Sequence, residues 1–436
     1  MLCPIRLAAL LAPHKTAVSS IHKNYSYQEL DTHISFCQHN IKDLSETLSF
    51  IPSLSFNSIV FLFACLRQGK TVYLLNSRNP LTLNMSLTKQ VKGRFIDTIE
   101  QYVEQKIFLE KSISYFSSKI YISTSGSTSL PKIVILTPRS FFINSLAAIE
   151  KLRITEQDTY LLSLPLFHVS GLSILFRTFI SKAALFLPEK GMSLLETKAN
   201  VVSLVPTQLI RLLDALSLPA QFKCLLVGGA YLSEDLYFEA VKANLPIALT
   251  YGMSETSSQL LLCNKPVIRD GRYYLGFPHK YSFMKLDQNK EILVKGDTLF
   301  KGYFGQKPHV GWFKTKDIGA YHKTYGFSFV GRKDNLFISG GENIYPEEII
   351  RSIYQCGRFE EVFVLPVKDP AFGHRPVCFI LAKKFCENTI KKQLERILPK
   401  YKIPIHFFDL SRHKKNGLKW HRQDLKKIAE KENFCL

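Results

Sequence analysis

The sequence predicts an α/β protein: a large N-terminal region of stacked α/β layers, then a β-rich stretch, then a small α+β unit at the C-terminus. Three observations predict it. Short apolar runs alternate with helical patterns in the first half. Ser58–Leu66 ends at Gly69 and precedes the strand-like Thr71–Leu75, and Val201–Leu204 is followed by Pro206, which opens a helix. From Gly276 to Gly319 strand-like runs follow one another, with Glu291–Gly296 the clearest. Towards the C-terminus two strands, Val362–Val367 and Val377–Leu381, precede a helical pattern over Asn388–Leu398.

Composition bounds what such a chain does. With 436 residues, 46% hydrophobic and 21% charged, it can bury a sizeable core. The nine cysteines show no C-x-x-C spacing, which argues against a zinc site or a disulfide framework and fits a reducing, cytoplasmic setting. The longest nearly uncharged apolar run, Ser58–Leu66, is far short of the ~18 residues that span a bilayer. Met1–Ala12 is apolar but carries Arg6 and leads to no clear cleavage site, so no signal peptide is read. The net charge of +21 suits an anionic partner: nucleic acid, a membrane surface, or a phosphorylated small molecule. Between Arg412 and Lys431 basic residues are in excess, but Trp420 is the one aromatic among them, so nucleic acid is not expected. A lysine-rich, solvated surface accounts for the charge as well.

Taken in order, Tyr25–Leu30 opens the first helical pattern. Lys119–Ile122 is short and apolar and Ile133–Leu136 is largely β-branched, so the residues between them join two strands. That connection, Ser123-Thr124-Ser125-Gly126-Ser127-Thr128-Ser129-Leu130-Pro131-Lys132, is rich in small and hydroxylated residues. Small residues let backbone N–H groups turn toward an anion, hydroxyls add donors, and Lys132 adds a point charge. It is not the classical phosphate loop, because only Gly126 is a glycine and no Ser or Thr follows Lys132. A solvated Ser/Thr turn fits the same residues.

Next, Tyr160–Leu164 runs into Pro165-Leu166-Phe167-His168-Val169-Ser170-Gly171. A histidine at a strand end can face a cleft, although among apolar neighbours it is more often structural. In the helix opened by Pro206, Leu209, Leu212, Leu213 and Leu216 share a core face. Thr207 and Gln208 occupy its first turn, where donors can reach an anion or an acyl chain. Arg211, turned inward, would add a cation there. Cys224–Val227 breaks at Gly228-Gly229-Ala230, which permits close approach to a flat ligand. Ile247–Thr250 leads to Tyr251-Gly252-Met253-Ser254-Glu255-Thr256, where Glu255 is either a hard oxygen ligand for Mg²⁺ or a glutamate facing solvent.

Thr124 to Lys132 resembles the T-S-G-[ST]-[ST]-G-x-P-K signature of the adenylate-forming superfamily, which includes acyl-CoA synthetases, luciferases and peptide-synthetase adenylation domains. Ser129 stands in place of the second glycine. Further motifs follow in the family's order. Tyr251–Thr256 matches Y-G-x-[ST]-E-T, and Gly311–Gly319 matches G-W-[FY]-x-T-G-D-[IL]-G with Lys316 replacing a glycine. Gly326–Asp334 looks like the junction of large and small domains, and Ser339–Ile350 is a glycine loop running into a helix. Leu418-Lys419-Trp420-His421-Arg422 stands where the family carries G-K-x-x-R.

The resemblance implies ATP, Mg²⁺ and coenzyme A as ligands and a carboxylic acid as substrate. It places Thr124, Ser125, Gly126, Ser127, Thr128 and Lys132 around the phosphates. Gly228, Gly229 and Ala230 lie against adenine, and Tyr251, Gly252 and Ser254 form the nucleotide turn. Asp317 accepts from the ribose hydroxyls, and Arg332 approaches ribose and phosphate. Glu255 holds Mg²⁺. Asp334 is the hinge between a large domain, residues 1–333, and a small mobile α+β lid, residues 334–436, which presents Gly340 and Gly341 to coenzyme A. Lys419, Glu255, Thr128 and His168 are expected at the reacting centre, with His168, Ser170 and Gln208 facing the acid. Because Leu418 departs from the pattern, Lys414 and Lys415 remain alternatives to Lys419. Lys316 would disfavour the left-handed turn that a glycine occupies.

The implied activity is ATP-dependent formation of an acyl-adenylate, followed by transfer of the acyl group to coenzyme A. Within the superfamily, Pro165–Gly171, Ser203–Leu209 and Lys400–Pro404 resemble the o-succinylbenzoate–CoA ligase branch of menaquinone biosynthesis. Other aryl- or fatty-acid CoA ligases, a carrier-protein-loading enzyme and a nucleotide-binding homologue without turnover stay open at this point, as does a homodimer.

Overall fold

The computed structural model describes residues 3–103, 118–124, 131–215, 221–269, 271–413, 420 and 422–435. Among these, the two β-prone runs flanking the hydroxyl-rich connection form strands Ile120–Thr124 and Lys132–Leu136, paired antiparallel with Thr124 opposite Lys132. They complete a five-stranded sheet whose other members, Thr71–Leu74, Thr47–Phe50 and Arg94–Ile96, run parallel. The helix Phe56–Arg67 is apolar around nearly its whole circumference and is buried from Ser58 to Arg67. Beyond it Gly69 takes φ 77° and turns the chain into the Thr71 strand. Arg67 ends this helix buried, and its charge is met by Asp31 at 2.5 Å; Asp31 pairs with Arg6 as well.

A second sheet has eight strands in the order Ser258–Cys263, Ile247–Met253, Cys224–Val227, Val201–Leu204, Thr159–Leu161, Ala184–Phe186, Thr16–Ser19 and Asn24–Ser26. Its interior pairings are parallel and both edge pairings antiparallel. Helices Pro138–Leu152 and Val169–Ile180 pack together on it, and the apolar cluster they share runs from Cys3 to Phe300. In such sheets ligands gather outside the carboxyl ends of the strands. The Ile247–Met253 strand carries Tyr251 and Glu255 to that end.

The β-rich stretch forms a six-stranded antiparallel sheet with Phe313–His322 and Gly326–Arg332 as a long central hairpin. After Phe337 the chain builds its own layers: a hairpin Phe337–Ser339/Glu342–Ile344, helix Pro346–Tyr354, and a three-stranded sheet. Their apolar residues form two clusters drawn from Phe337 and the residues after it. The α/β class expected from the sequence is the class observed. Local boundaries shift: the helix expected over Asn388–Leu398 spans Glu387–Leu394, and the one opened by Pro206 ends at Leu213, with Leu216 outside the described residues.

Candidate active site

Three clusters of polar side chains converge on the segment Tyr251–Gln259. The first surrounds Glu255. A short turn Ser254–Thr256 at the end of the Tyr251 strand holds this carboxylate, which is only 7% exposed and therefore does not face solvent. Tyr303 donates to Glu255 Oε1 at 2.8 Å, and Phe300 N–H donates to the Glu255 carbonyl at 2.8 Å. Lys301–Phe304 lies along the Lys132–Leu136 strand through backbone bonds from Lys301 to Ile135, Ile135 to Gly302 and Phe304 to Ile133. That places the Tyr303 ring 5.1 Å from Lys132 Nζ. Burial, and then the neighbouring Glu255 charge, push the Tyr303 phenol up, so it stays a donor. Sequence reading missed Tyr303; an aromatic directly after Gly302 in an otherwise β pattern is the only signal it leaves.

Thr124 Oγ1 donates to the Lys132 carbonyl at 3.3 Å, so the base of the hydroxyl-rich connection is closed on itself. Ser125, Gly126, Ser127, Thr128 and Ser129 lie outside the described residues. Among the described residues no group of three or more His, Cys, Asp or Glu could hold a metal. A single buried carboxylate suits Mg²⁺, which keeps several waters and takes its remaining ligands from substrate phosphates.

The second cluster is built on Asp317. Tyr251 donates to its Oδ2 at 2.5 Å, and Arg332 Nη1 pairs with its Oδ1 at 2.6 Å. Asp317 is 4% exposed; burial raises its pKa despite the guanidinium, and burial with the Asp317 charge raises that of Tyr251. Tyr251 stacks on Phe329 with ring centroids 6.0 Å apart. Gly252, next in the chain, is required by space: a Cβ there would lie 2.0 Å from the Ser258 carbonyl oxygen. Lys316 does not distort the turn as expected. It takes φ 64°, the left-handed conformation a glycine would adopt, and its side chain pairs with Asp334.

The third cluster lies on the Val169–Ile180 helix. His168 is its N-cap with its ring 4.7 Å from that of Phe167, and Ser170 occupies the first turn. Ser173 and Arg177 continue the Ser170 face at i+3 and i+7. Ser173 Oγ donates to the Ser257 carbonyl at 3.4 Å, and Arg177 donates to Gln259, Ser258 and the Tyr160 hydroxyl. Arg177 is 2% exposed, and among the described residues no carboxylate pairs with it. Arg211, by contrast, is exposed and is not the inward cation anticipated. Gln208 uses its amide oxygen locally, accepting from Val205 N–H at 3.0 Å to cap its helix.

Gly228, Gly229 and Ala230 follow the Cys224–Val227 strand into an open turn, with Gly228 against Thr250, the residue before Tyr251. Gly340 and Gly341 do not join them. They form the two-residue turn of the Phe337–Ile344 hairpin, with φ 58° and 87°, as the left-handed hairpin turn requires. Their recorded contact, Gly340 N–H to the Phe372 carbonyl at 2.9 Å, stays within the C-terminal part. Lys419, with Lys414, Lys415 and Leu418, lies outside the described residues.

The model of the AMP-binding enzyme family matches residues 119–304, the part that carries the Glu255 cluster. Over 413 residues the chain is 32% identical to 2-succinylbenzoate–CoA ligase of Haemophilus influenzae, covering 90% of this chain and 89% of that one. The chain belongs to the AMP-binding, adenylate-forming enzyme family. The same ligase of Oceanobacillus iheyensis is 30% identical over 458 residues, covering 93% of each chain. Among solved structures, o-succinylbenzoate CoA synthetase of Bacillus subtilis in complex with an acyl-adenylate intermediate superposes with a TM-score of 0.85 at 25% identity, over 98% of both chains. As a member of this family the chain is an AMP-forming acid–thiol ligase. Arg177, like Tyr303, is a candidate site residue that the sequence did not single out. It sits in an apolar helix where one charged residue reads as an outward-facing cation, and only the packing of that helix against Ser257–Gln259 reveals it as buried.

Proposed function

We propose that the chain converts 2-succinylbenzoate, ATP and coenzyme A to 2-succinylbenzoyl-CoA, AMP and pyrophosphate. The observation that carries the choice of acid is Arg177: a buried guanidinium held by neutral partners has a place for a carboxylate, and buried charges are normally paired. An aromatic acid with a second carboxylate keeps one for this place while the other reacts; a fatty acid has only the one that reacts. The names of the two relatives support the same acid.

In the first half-reaction a carboxylate oxygen attacks the α-phosphorus, the bond to pyrophosphate breaks, and the acyl-adenylate forms. Negative charge on the nonbridging oxygens must be met by cations. Glu255 would hold Mg²⁺, which would supply Lewis acidity to the phosphates. Lys132 faces the departing pyrophosphate. Asp317, oriented by Tyr251 and Arg332, accepts from the ribose hydroxyls, and Lys419 brings the remaining charge. In the second half-reaction the thiol attacks the acyl carbon and AMP leaves. Asp334 as hinge, a division into residues 1–333 and 334–436, and Gly340 and Gly341 facing coenzyme A belong to this proposal. The separate apolar clusters from Phe337 onward support the division. We place the enzyme in the cytoplasm, supported by nine cysteines that are all free; among the described residues no helix is long and apolar enough to cross a membrane.

The test is AMP release with coenzyme A across a panel of acids. Preference for 2-succinylbenzoate over benzoate and palmitate is expected. Equal or faster turnover of palmitate would overturn the assignment of the acid and leave the adenylation chemistry standing.

A further inference from the structure

The C-terminal part meets the rest of the chain through polar and aromatic side chains. Among the described residues no apolar cluster draws members from both sides of Asp334. Three side chains from the helix Pro346–Tyr354 and the turn after it reach across instead. Arg351 donates to the Val330 carbonyl at 2.8 Å, and the Tyr354 ring lies 5.9 Å from that of Tyr231. Arg358 reaches furthest from the junction. Its Nη2 lies 3.0 Å from Asp214 Oδ1 and donates to the Ile210 carbonyl at 3.5 Å, while its Nη1 lies 3.3 Å from Glu239 Oε1. Asp214 is the C-cap of Pro206–Leu213 and Glu239 belongs to the helix Glu234–Lys242, so one guanidinium ties two helices of the N-terminal part to the C-terminal part.

Given the function proposed above, on which this rests, these contacts belong to one half-reaction. The Gly340-Gly341 turn assigned to coenzyme A does not face the three clusters. A Cβ on Gly340 would meet the Phe372 ring at 2.8 Å, and one on Gly341 would meet nothing within 4 Å. Bringing that turn to the acid requires the C-terminal part to move, and the Arg358 pairs then separate. Their strength suits a contact that opens in every cycle. The three side chains are 41–45% exposed, so each pair is weak and water replaces it readily, whereas a large apolar interface would hold the part in one place. Tyr231 directly follows Ala230 of the turn assigned to adenine, so the docked helix also adjoins the nucleotide turn. Trp420, beside Lys419 in the chain, is buried in a C-terminal apolar cluster and travels with it. We propose that Arg358 is a positioning residue for acyl-adenylate formation: its pairs with Asp214 and Glu239 hold the C-terminal part, and Lys419 with it, in the arrangement of the first half-reaction and part before the second.

Single-turnover assays on the full chain test this, one reading pyrophosphate release from ATP and the acid, the other thioester formation from supplied acyl-adenylate and coenzyme A. Arg358→Gln should slow the first step by about three- to tenfold, the scale of two exposed ion pairs, and leave the second unchanged or faster. Asp214→Asn/Glu239→Gln should do the same. Arg358→Glu should slow the first step further, and the charge exchange Asp214→Lys/Glu239→Lys/Arg358→Glu should restore it toward the wild-type rate. Melting temperatures should stay unchanged, and Lys383→Gln/Lys384→Gln, exposed lysines elsewhere in the C-terminal part, should alter neither step. Equal slowing of both steps by Arg358→Gln, or a charge exchange that restores nothing, would overturn the proposal. Small-angle scattering with ATP and Mg²⁺ and no acid gives a readout free of turnover. The wild type is expected to fit the arrangement seen here and Arg358→Glu to depart from it; identical curves would count against the contact. A wild type that adenylates no acid would defeat the function proposed above, and the scattering would still decide what Arg358 holds.

Discussion

Lys316 Nζ lies 3.0 Å from Asp334 Oδ2 and 3.3 Å from Oδ1, so a lysine in a left-handed turn is tied to the residue proposed as the hinge. Two further pairs lie beside it, Arg332 with Asp317 and Lys333 with Glu291. A non-glycine residue held at φ 64° costs on the order of 1 kcal/mol or more, while a half-exposed pair returns about 0–1 kcal/mol. Lys316→Ala keeps the strained backbone and loses the pair, whereas Lys316→Gly relieves the strain. Denaturant titrations are therefore expected to find Lys316→Gly more stable than Lys316→Ala by about 1 kcal/mol. Equal stability of the two variants would mean that the backbone at this position carries no strain.

Glu255→Gln removes the carboxylate that Tyr303 orients. Adenylation is expected to fall by about 10²-fold or more, the scale of losing one preorganised electrostatic group, while the melting temperature changes little. Tyr303→Phe keeps the carboxylate but frees it to rotate, and should raise the Mg²⁺ concentration needed for half-maximal rate. A Mg²⁺ titration of pyrophosphate release separates these effects; an unaltered titration in Tyr303→Phe would remove Tyr303 from the site.

Lys419→Ala is expected to lower acyl-adenylate formation by about 10²–10³-fold and to leave thioester formation from supplied acyl-adenylate nearly intact. The cation is needed while phosphorus is attacked and not when the thiol displaces AMP. Single-turnover assays of the two half-reactions decide it. Equal losses in both would shift attention to Lys414 and Lys415.

Arg177→Lys retains a charge in the buried niche but not the planar fork that Gln259 and Tyr160 hold. KM for 2-succinylbenzoate should rise about tenfold, equivalent to ~1.4 kcal/mol of binding, with benzoate turnover little changed. A parallel loss for both acids would assign Arg177 a purely structural role. His168→Ala should raise the same KM, read in the same assay.

His279 gives the pH dependence. Burial pushes its pKa down to about 4, and its Nδ1 accepts from Tyr281 N–H at 3.3 Å, a bond that the neutral ring alone can make. The unfolded chain therefore binds the proton more readily, so this contribution to stability is complete above about pH 6.5 and is lost as pH falls toward 4. His279→Asn should lie closest to the wild type in stability at pH 4 and furthest below it at pH 7. Urea titrations at both pH values measure the difference, and a constant gap would show that the ring titrates normally.

The sequence by itself determined the α/β class, the strand pair around the hydroxyl-rich connection, the Tyr251–Glu255 turn and the Gly311–Gly319 motif, because periodicity, glycine placement and short motifs are properties of neighbouring residues. It also carried Asp317 and Arg332, but as separate motif positions; the hairpin register that sets Asp317 opposite Arg332 brings them into contact. Only the tertiary structure decided that Tyr303 orients Glu255, since the two are 48 residues apart and meet because Lys301–Phe304 lies along the Lys132–Leu136 strand. It decided as well between two arginines on apolar helices. Arg177 is buried because its helix packs against Ser257–Gln259, whereas Arg211 faces solvent because the opposite face of its helix is the one that meets the sheet. A cation's position in a helical pattern leaves its environment open, and burial depends on which neighbour the fold lays against that face.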